Sequence, residues 1–254
     1  MSAAGGIVYV IVGGNRGIGL SLVKELSNKE GVTVFASARG PGSASELKDW
    51  SKTHSNVHII KLDVTSLRSA KDAAMQVEKV VKCIDVLWVN SGISKSFQPV
   101  LKTSDELWMS HYQTNVLGPI HVYQAFYHLL KEGKLKNIVF TSSMAACMGG
   151  VRPNTYSAYG QSKAALNYTM KEISFELEKD GFVVVSIHPG VVNTDMFVNA
   201  MQKLASKYPE MVESIKSNAI SPEQSASSML KIVDNLKTED NGMFYNLDGT
   251  KLPF

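Results

Sequence analysis

Between residues 154 and 166 the chain reads NTYSAYGQSKAAL. Tyr159 and Lys163 are four positions apart, which on a helix puts them one turn apart on one face. A free phenol titrates near ~10, too high to shuttle protons well at neutral pH. A neighbouring ammonium favours the phenolate and lowers that value, so the pair could serve as a proton donor. The same spacing recurs at Tyr127 and Lys131, so by itself it carries little. Tyr156 has Gly160, not a cation, at its i+4 position. Ser142 and Ser143 lie just upstream, and His188 precedes Pro189-Gly190 further on. No second His or carboxylate stands near His188 at metal-ligand spacing, so it reads as a buried or loop histidine and no metal is expected.

These residues need elements to hold them. Short β-branched runs at 7–13, 32–38, 57–62, 85–90, 137–142, 183–188 and 242–247 read as strands buried on both faces. Helical stretches lie between them at about 17–29, 44–53, 66–82, 104–132, 157–180 and 222–236, the last opened by Ser221-Pro222-Glu223. Such alternation predicts an α/β fold, a doubly wound seven-stranded parallel sheet flanked by helices. With no linker or repeat, 1–254 reads as one domain. Residues 191–220, rich in Met and aromatics, break the alternation and are expected to form a lid beside the strand ends.

The first strand runs into Gly13-Gly14-Asn15-Arg16-Gly17-Ile18-Gly19 and then a helix. A glycine turn there lets backbone approach a pyrophosphate, and the helix N-terminus offers free N–H groups and a favourable dipole. The second strand ends in Ala38-Arg39, where an acid would bind a ribose 2′-hydroxyl; a cation pairs instead with a 2′-phosphate. Arg16 could reach the same phosphate. The expected cofactor is therefore NADP(H).

The net charge of +3 is small and the lysines are scattered, so nothing points to nucleic acid. Two cysteines, Cys83 and Cys147, make no disulfide framework and fit a reducing compartment. No stretch approaches the roughly 20 apolar residues that span a bilayer. A cytoplasmic protein without membrane attachment is expected.

Taken in order, the residues resemble the short-chain dehydrogenase/reductase family over nearly the whole chain. The series comprises the glycine loop, Asp63 in LDVTS, Asn90-Ser91-Gly92, Asn115 in QTNVLGP, Ser143, Tyr159-x-x-x-Lys163, and Pro189-Gly190 with Thr194. The ending YNLDGTKLPF and the segment HPGVVNTDM resemble the carbonyl-reductase branch that includes sniffer, C-factor and norsolorinic acid ketoreductase-like proteins. Departures are Val12 where the family often has Thr, Ser91 where Ala is usual, and a lengthened loop between Ser143 and Tyr159. That loop leaves Tyr156 nearer the usual distance from Ser143, but Tyr156 lacks the lysine partner.

The resemblance implies an NADPH-dependent carbonyl reductase. Tyr159 would donate the proton and Lys163 would lower its pKa and bond the nicotinamide ribose. Ser143, with Ser142 as the alternative, would bond the substrate oxygen, and Asn115 would hold a water for proton relay. Asp63 and Val64 would hold the adenine, and Val192 and Thr194 the carboxamide. Capping is the structural alternative for Asn115 and Asp63. Met196, Phe197 and Met201 suggest an adaptable apolar pocket for a ketone or aldehyde. A homodimer or homotetramer is implied through the helices at 104–132 and 157–180. The competing readings are a non-catalytic NADP(H) sensor and an NAD-dependent alcohol dehydrogenase; an extended-family epimerase would need a different glycine spacing.

Overall fold

The computed structural model describes residues 6–150, 157–206 and 208–254. Seven strands, β1 (Ile7–Val12), β2 (Val32–Ala38), β3 (Val57–Lys61), β4 (Val86–Val89), β5 (Asn137–Thr141), β6 (Val183–Ile187) and β7 (Phe244–Tyr245), form one sheet in the order β3-β2-β1-β4-β5-β6-β7. Every pairing between these seven strands is parallel. The helices are α1 (Gly17–Ser27), α2 (Ser45–Thr53), α3 (Leu67–Glu78), α4 (Asp105–Tyr112), α5 (Gly118–Leu130), α6 (Ser157–Glu176), α7 (Asp195–Ala205), α8 (Pro209–Ser217) and α9 (Pro222–Val233). The chain runs outward from β1 to β3, then returns to the other side of β1 as β4. That reversal opens a crevice at the carboxyl ends of β1 and β4.

Strand alternation sorts the core onto two faces. Val8, Val10 and Val12 of β1 join Phe126, Leu166 and others from α3, α5 and α6 on one side. Tyr9 and Ile11 join Leu22, Leu47 and Met229 from α1, α2 and α9 on the other. Because both faces are covered, the strands read as continuous apolar runs.

Two expectations need revision. The helical stretch at 104–132 is not uniform: a π turn, Gln113–Leu117, separates α4 from α5. The last strand shrinks from 242–247 to two residues. Gly242, at φ +75°, still turns the chain, and Asn246 accepts the Gly249 amide to close the next turn. Tyr245 then pairs antiparallel with Lys251.

The amino ends of β1, β4 and β5 are held by one carboxylate. Asp85, 2% exposed, accepts the Val8 amide at 2.8 Å and the Lys134 amide at 2.7 Å. Removing it strands two amides at the end of the sheet away from the crevice. Asp85→Ala is expected to lower unfolding free energy by about 3 kcal/mol, read from urea denaturation, while cofactor affinity measured on the folded fraction stays within about twofold.

Candidate functional site

The crevice is assembled by a chain of hydrogen bonds. Ser37, near the end of β2, accepts the Gly13 amide on Oγ at 2.9 Å and the Gly14 amide on its carbonyl at 3.0 Å. Asn90, at the end of β4, donates from Nδ2 to the Gly13 carbonyl at 3.3 Å and accepts from Thr141 Oγ1 at 3.2 Å. Buried Trp88 donates to the same Thr141 hydroxyl at 3.1 Å. The Thr141 carbonyl then accepts from Lys163 Nζ at 2.7 Å. A Cβ at Gly19 would sit 2.0 Å from the Gly13 carbonyl and 2.8 Å from Asn90 Nδ2, so only glycine lets the loop close on itself. Gly17, at φ +52°, faces Thr194. Arg16 immediately precedes α1 in extended backbone and provides no side-chain cap to its first turn. Those first-turn amides can therefore take an anion.

Lys163 is 4% exposed, and burial lowers its pKa to about 8. Gly92 lies against it; a Cβ there would stand 3.5 Å from Nζ and 3.3 Å from Asn115 Oδ1. Tyr159 occupies the preceding turn of the same helix, half-buried. Its carbonyl accepts from Ser162 Oγ at 2.7 Å, and Ser162 in turn accepts from Asn115 Nδ2 at 2.9 Å. Asn115, fully buried in the π turn, also accepts the Ile93 amide and donates to the Ile93 carbonyl, both at 2.9 Å. Both its amide hydrogens are thus committed, and the side chain ties the loop after β4 to α6. It caps no helix.

Sequence reasoning missed the other ties on that loop. His111, one α-helical turn before Asn115, accepts the Lys95 amide on Nε2 at 3.0 Å and bonds the Leu107 carbonyl through Nδ1 at 2.7 Å. Burial pushes its pKa down. Ser157, at the start of α6, meets Ser96 and Thr103 hydroxyls at 2.8 Å each and donates to the Gln98 carbonyl. These are small polar residues with no spacing signal; only the fold brings them together.

Ser143 follows β5 in extended backbone, half-buried, its Oγ accepting the Ala145 amide at 3.2 Å. Ser142 Oγ is buried with no hydrogen-bond partner among the described residues, and so is Ser91 Oγ beside Gly13. Tyr156 lies outside the described residues. Tyr127 packs against Phe182 in the core, and Lys131 sits beside Glu132, so that second match is remote in role.

Asp63 Oδ1 accepts from both the amide and hydroxyl of Thr65, an Asx turn, which realises the turn-capping alternative. Val64 is positioned by His121, whose Nδ1 bonds its carbonyl at 3.0 Å, and by Gly118, which has no room for a Cβ against it. Arg39 is exposed at the end of β2. Arg16 is not free: Nη1 pairs with Asp195 Oδ2 at 2.9 Å, both side chains about two-thirds exposed. The Pro189 carbonyl accepts from buried Ser225, and Gly190 turns at φ +84° against Leu247. Val192 bridges to Ile220, so the α7–α8 segment closes back on its own start. Thr194 caps α7. Met196 is exposed, whereas Met201 is 4% exposed and packs with Leu204 and Val212 inside α7–α8. With Phe197 it also borders a hollow of about 460 Å³ that none of Ser143, Tyr159 and Lys163 lines. Among the described residues no cluster of His, Cys, Asp or Glu could hold a metal, and no helix is long and apolar enough to cross a membrane.

A parallel sheet with a glycine loop at its reversal point, and a helix carrying a buried lysine one turn from a tyrosine at the same edge, defines a dinucleotide-binding oxidoreductase class. Residues 7–205 match the short chain dehydrogenase family, and the chain belongs to it. It is 64% identical to an uncharacterized oxidoreductase of Schizosaccharomyces pombe over 247 residues, 97% of this chain and 98% of the relative. Among solved structures it is similar to the carbonyl reductase Sniffer of D. melanogaster, with a TM-score of 0.85, 29% identity, and coverage of 98% of this chain and 99% of the other. The NADPH-bound carbonyl reductase from chicken fatty liver gives a TM-score of 0.86 at 28% identity, again covering 98% and 99%. The family is one of oxidoreductases that use nicotinamide cofactors, and these neighbours agree with the carbonyl-reductase branch.

The buried ammonium has a thermodynamic consequence. Folded Lys163 titrates near 8 and an unfolded lysine near ~10.4, so below pH 8 its burial opposes folding. That penalty shrinks as pH rises from 8 toward ~10.4, where the unfolded chain binds the extra proton. Lys163→Met is expected to melt above wild type at pH 7, with the gap narrowing at pH 9, in thermal scans without cofactor.

Proposed function

We propose that this chain is an NADPH-dependent carbonyl reductase that delivers hydride to a ketone or aldehyde with an apolar body. The position of Lys163 carries the reading: a buried ammonium one turn from Tyr159, joined through Thr141 and Asn90 to the glycine loop. A nicotinamide held by Tyr159 and Lys163 would supply the hydride, and the carbonyl oxygen that takes up the C=O electron pair would then face Tyr159 and Ser143. Tyr159 gives its phenolic proton to that oxygen. Lys163 stabilises the phenolate left behind. Ser143 Oγ accepts the Ala145 amide through a lone pair, so its own hydrogen is available to the developing oxyanion. Asn115 fixes the loop and helix around them, its amide hydrogens already spent.

Gly13, Asn15, Arg16, Gly17, Ile18 and Gly19 would cradle the pyrophosphate over the uncapped start of α1. Asp63 and Val64 would border the adenine, and Asn90, Ser91 and Gly92 the adjoining ribose and phosphate path. Tyr159 and Lys163 would hold the nicotinamide ribose, and Pro189, Gly190, Val192 and Thr194 the carboxamide. Arg39 supports the 2′-phosphate assignment, being exposed where an acid would otherwise read the ribose. Arg16 can join it only by leaving Asp195, an exposed pair worth about 0–1 kcal/mol. The whole chain acts as one domain, with α7–α8 as its lid. Met109, Tyr112, Tyr168 and Phe175, all exposed on α4 and α6, suit a homo-oligomer.

NADPH oxidation, followed by absorbance with a panel of aryl and aliphatic ketones and aldehydes, tests the reading. Tyr159→Phe is expected to lower kcat by at least about 100-fold, and Tyr156→Phe by less than about threefold. Tight NADPH binding with no turnover of any panel member would favour a sensor. Ala38→Asp is expected to shift the kcat/KM ratio from NADPH toward NADH by at least about tenfold, since a carboxylate there repels a 2′-phosphate. An unchanged preference would overturn the Arg39 assignment.

A further inference from the structure

His188 is half-buried at the end of β6, beside the serine loop and outside the metal and cofactor sets considered above. Its backbone is fixed on both sides. The His188 amide donates to the Tyr245 carbonyl at 2.8 Å, and Pro189 follows, restricting His188 to extended conformations. The Pro189 carbonyl is itself held by Ser225 Oγ at 2.7 Å. The ring therefore projects from a rigid stem.

What it holds is the backbone just past Ser143. The β5–β6 ladder ends where the Ser142 amide donates to the Ile187 carbonyl at 2.8 Å. Beyond that point Ser143 is extended, at φ −158° and ψ 148°, and the chain turns at once into the short 3₁₀ segment Met144–Ala146. The next bond that reaches outside the loop toward β6 is from the Met144 amide to His188 Nδ1, at 3.2 Å. Ser143 is thus bracketed by the last residue of β6, Ile187, through its carbonyl and by the next residue, His188, through its ring.

We infer that His188 is a positioning residue for Ser143: its Nδ1 lone pair, with the ring proton on Nε2, anchors the Met144 amide and so aims the serine hydroxyl. The kinetic consequence rests on the reductase reading; the structural one does not. An amide hydrogen requires an unprotonated acceptor, which fixes the tautomer. Burial reinforces this, pushing the imidazole down to about 4, so that the ring stays neutral across the physiological range. A histidine retained only for packing volume would not need its Nδ1 unprotonated, and any apolar residue of similar bulk would replace it.

The test compares wild type, His188→Leu and His188→Asn, because the asparagine Oδ1 can take the place of Nδ1 as acceptor. With NADPH and the best carbonyl of the panel, His188→Leu is expected to lower kcat about tenfold, with NADPH Kd within about twofold, and His188→Asn to recover most of the loss. Equal impairment of the two variants, or a Leu variant as fast as wild type, would overturn the inference. Nitrogen-15 spectra give an arm independent of turnover. The wild-type ring should show a bare Nδ1 and a protonated Nε2, and the Met144 amide should be protected from exchange in wild type and His188→Asn but not in His188→Leu. A protonated Nδ1, or equal Met144 exchange in all three proteins, overturns it even if no carbonyl is reduced. A wild type that reduces nothing while showing the expected spectra would sink the reductase reading and leave the anchoring role standing.

Discussion

A lysine ammonium is buried under the carboxyl edge of this sheet, and the surrounding structure is arranged around that unfavourable fact. No described carboxylate forms an ion pair with Lys163, which donates instead to the Thr141 carbonyl. A lone charge in such a place favours its neutral form, hence the lowered pKa. The two apolar faces of the sheet supply the stabilisation that makes the burial tolerable, since each covered strand contributes side chains to both. A cation held this way has unused electrostatic capacity. It interacts strongly with whatever negative charge develops beside it, because little water is present to screen it.

The bonds running from Lys163 back to the glycine loop explain why the ends of four strands behave as one unit. Thr141 uses its carbonyl for the lysine and its hydroxyl for Asn90, while Trp88 donates to that hydroxyl from beneath. Asn90 passes the constraint to Gly13, and Ser37 holds Gly13 from the other side. The ends of β2, β4 and β5 thereby set the position of the loop after β1. This depends on parallel register: β4 must lie between β1 and β5 for Asn90 to reach both. Hence the sheet order does more than define the fold; it places the glycine loop and a buried ammonium at the same edge.

Periodicity and composition made the elements legible. β2 runs over the expected residues, and the other strands differ mostly at their ends, because a buried parallel strand is written almost entirely in its own residues. The π turn was invisible for the opposite reason. The apolar pattern of 104–132 continues through it, and one extra residue in a turn leaves no compositional mark. The helix that carries Tyr159 and Lys163 and the turn at the glycine loop were readable because each is written in contiguous residues, whereas the Tyr-x-x-x-Lys spacing alone recurs at Tyr127 and Lys131. Ser37, His111, Ser157 and Ser225 were not, because each reaches a partner distant in sequence through hydrogen bonds that leave no mark in local spacing. Asp63 shows the limit from the other side, since its local Asx turn was foreseeable and tells nothing about adenine.

Arg16 shows how one side chain can answer to two claims. In the structure it reaches across the crevice to Asp195, in the first turn of α7, a residue 179 positions away. The pair is exposed at both ends, so water and salt screen most of its Coulomb energy. A phosphate dianion offers the guanidinium more charge and a bidentate geometry. A phosphate placed at the start of α1 would therefore compete with Asp195 for Arg16. Its effect would be felt in the α7–α8 segment, which Thr194 and the Val192–Ile220 bridge still hold at its base. Loss of the exposed pair would leave the Thr194 cap and the Val192–Ile220 bridge in place, so the ion pair and a phosphate are alternative partners for one guanidinium.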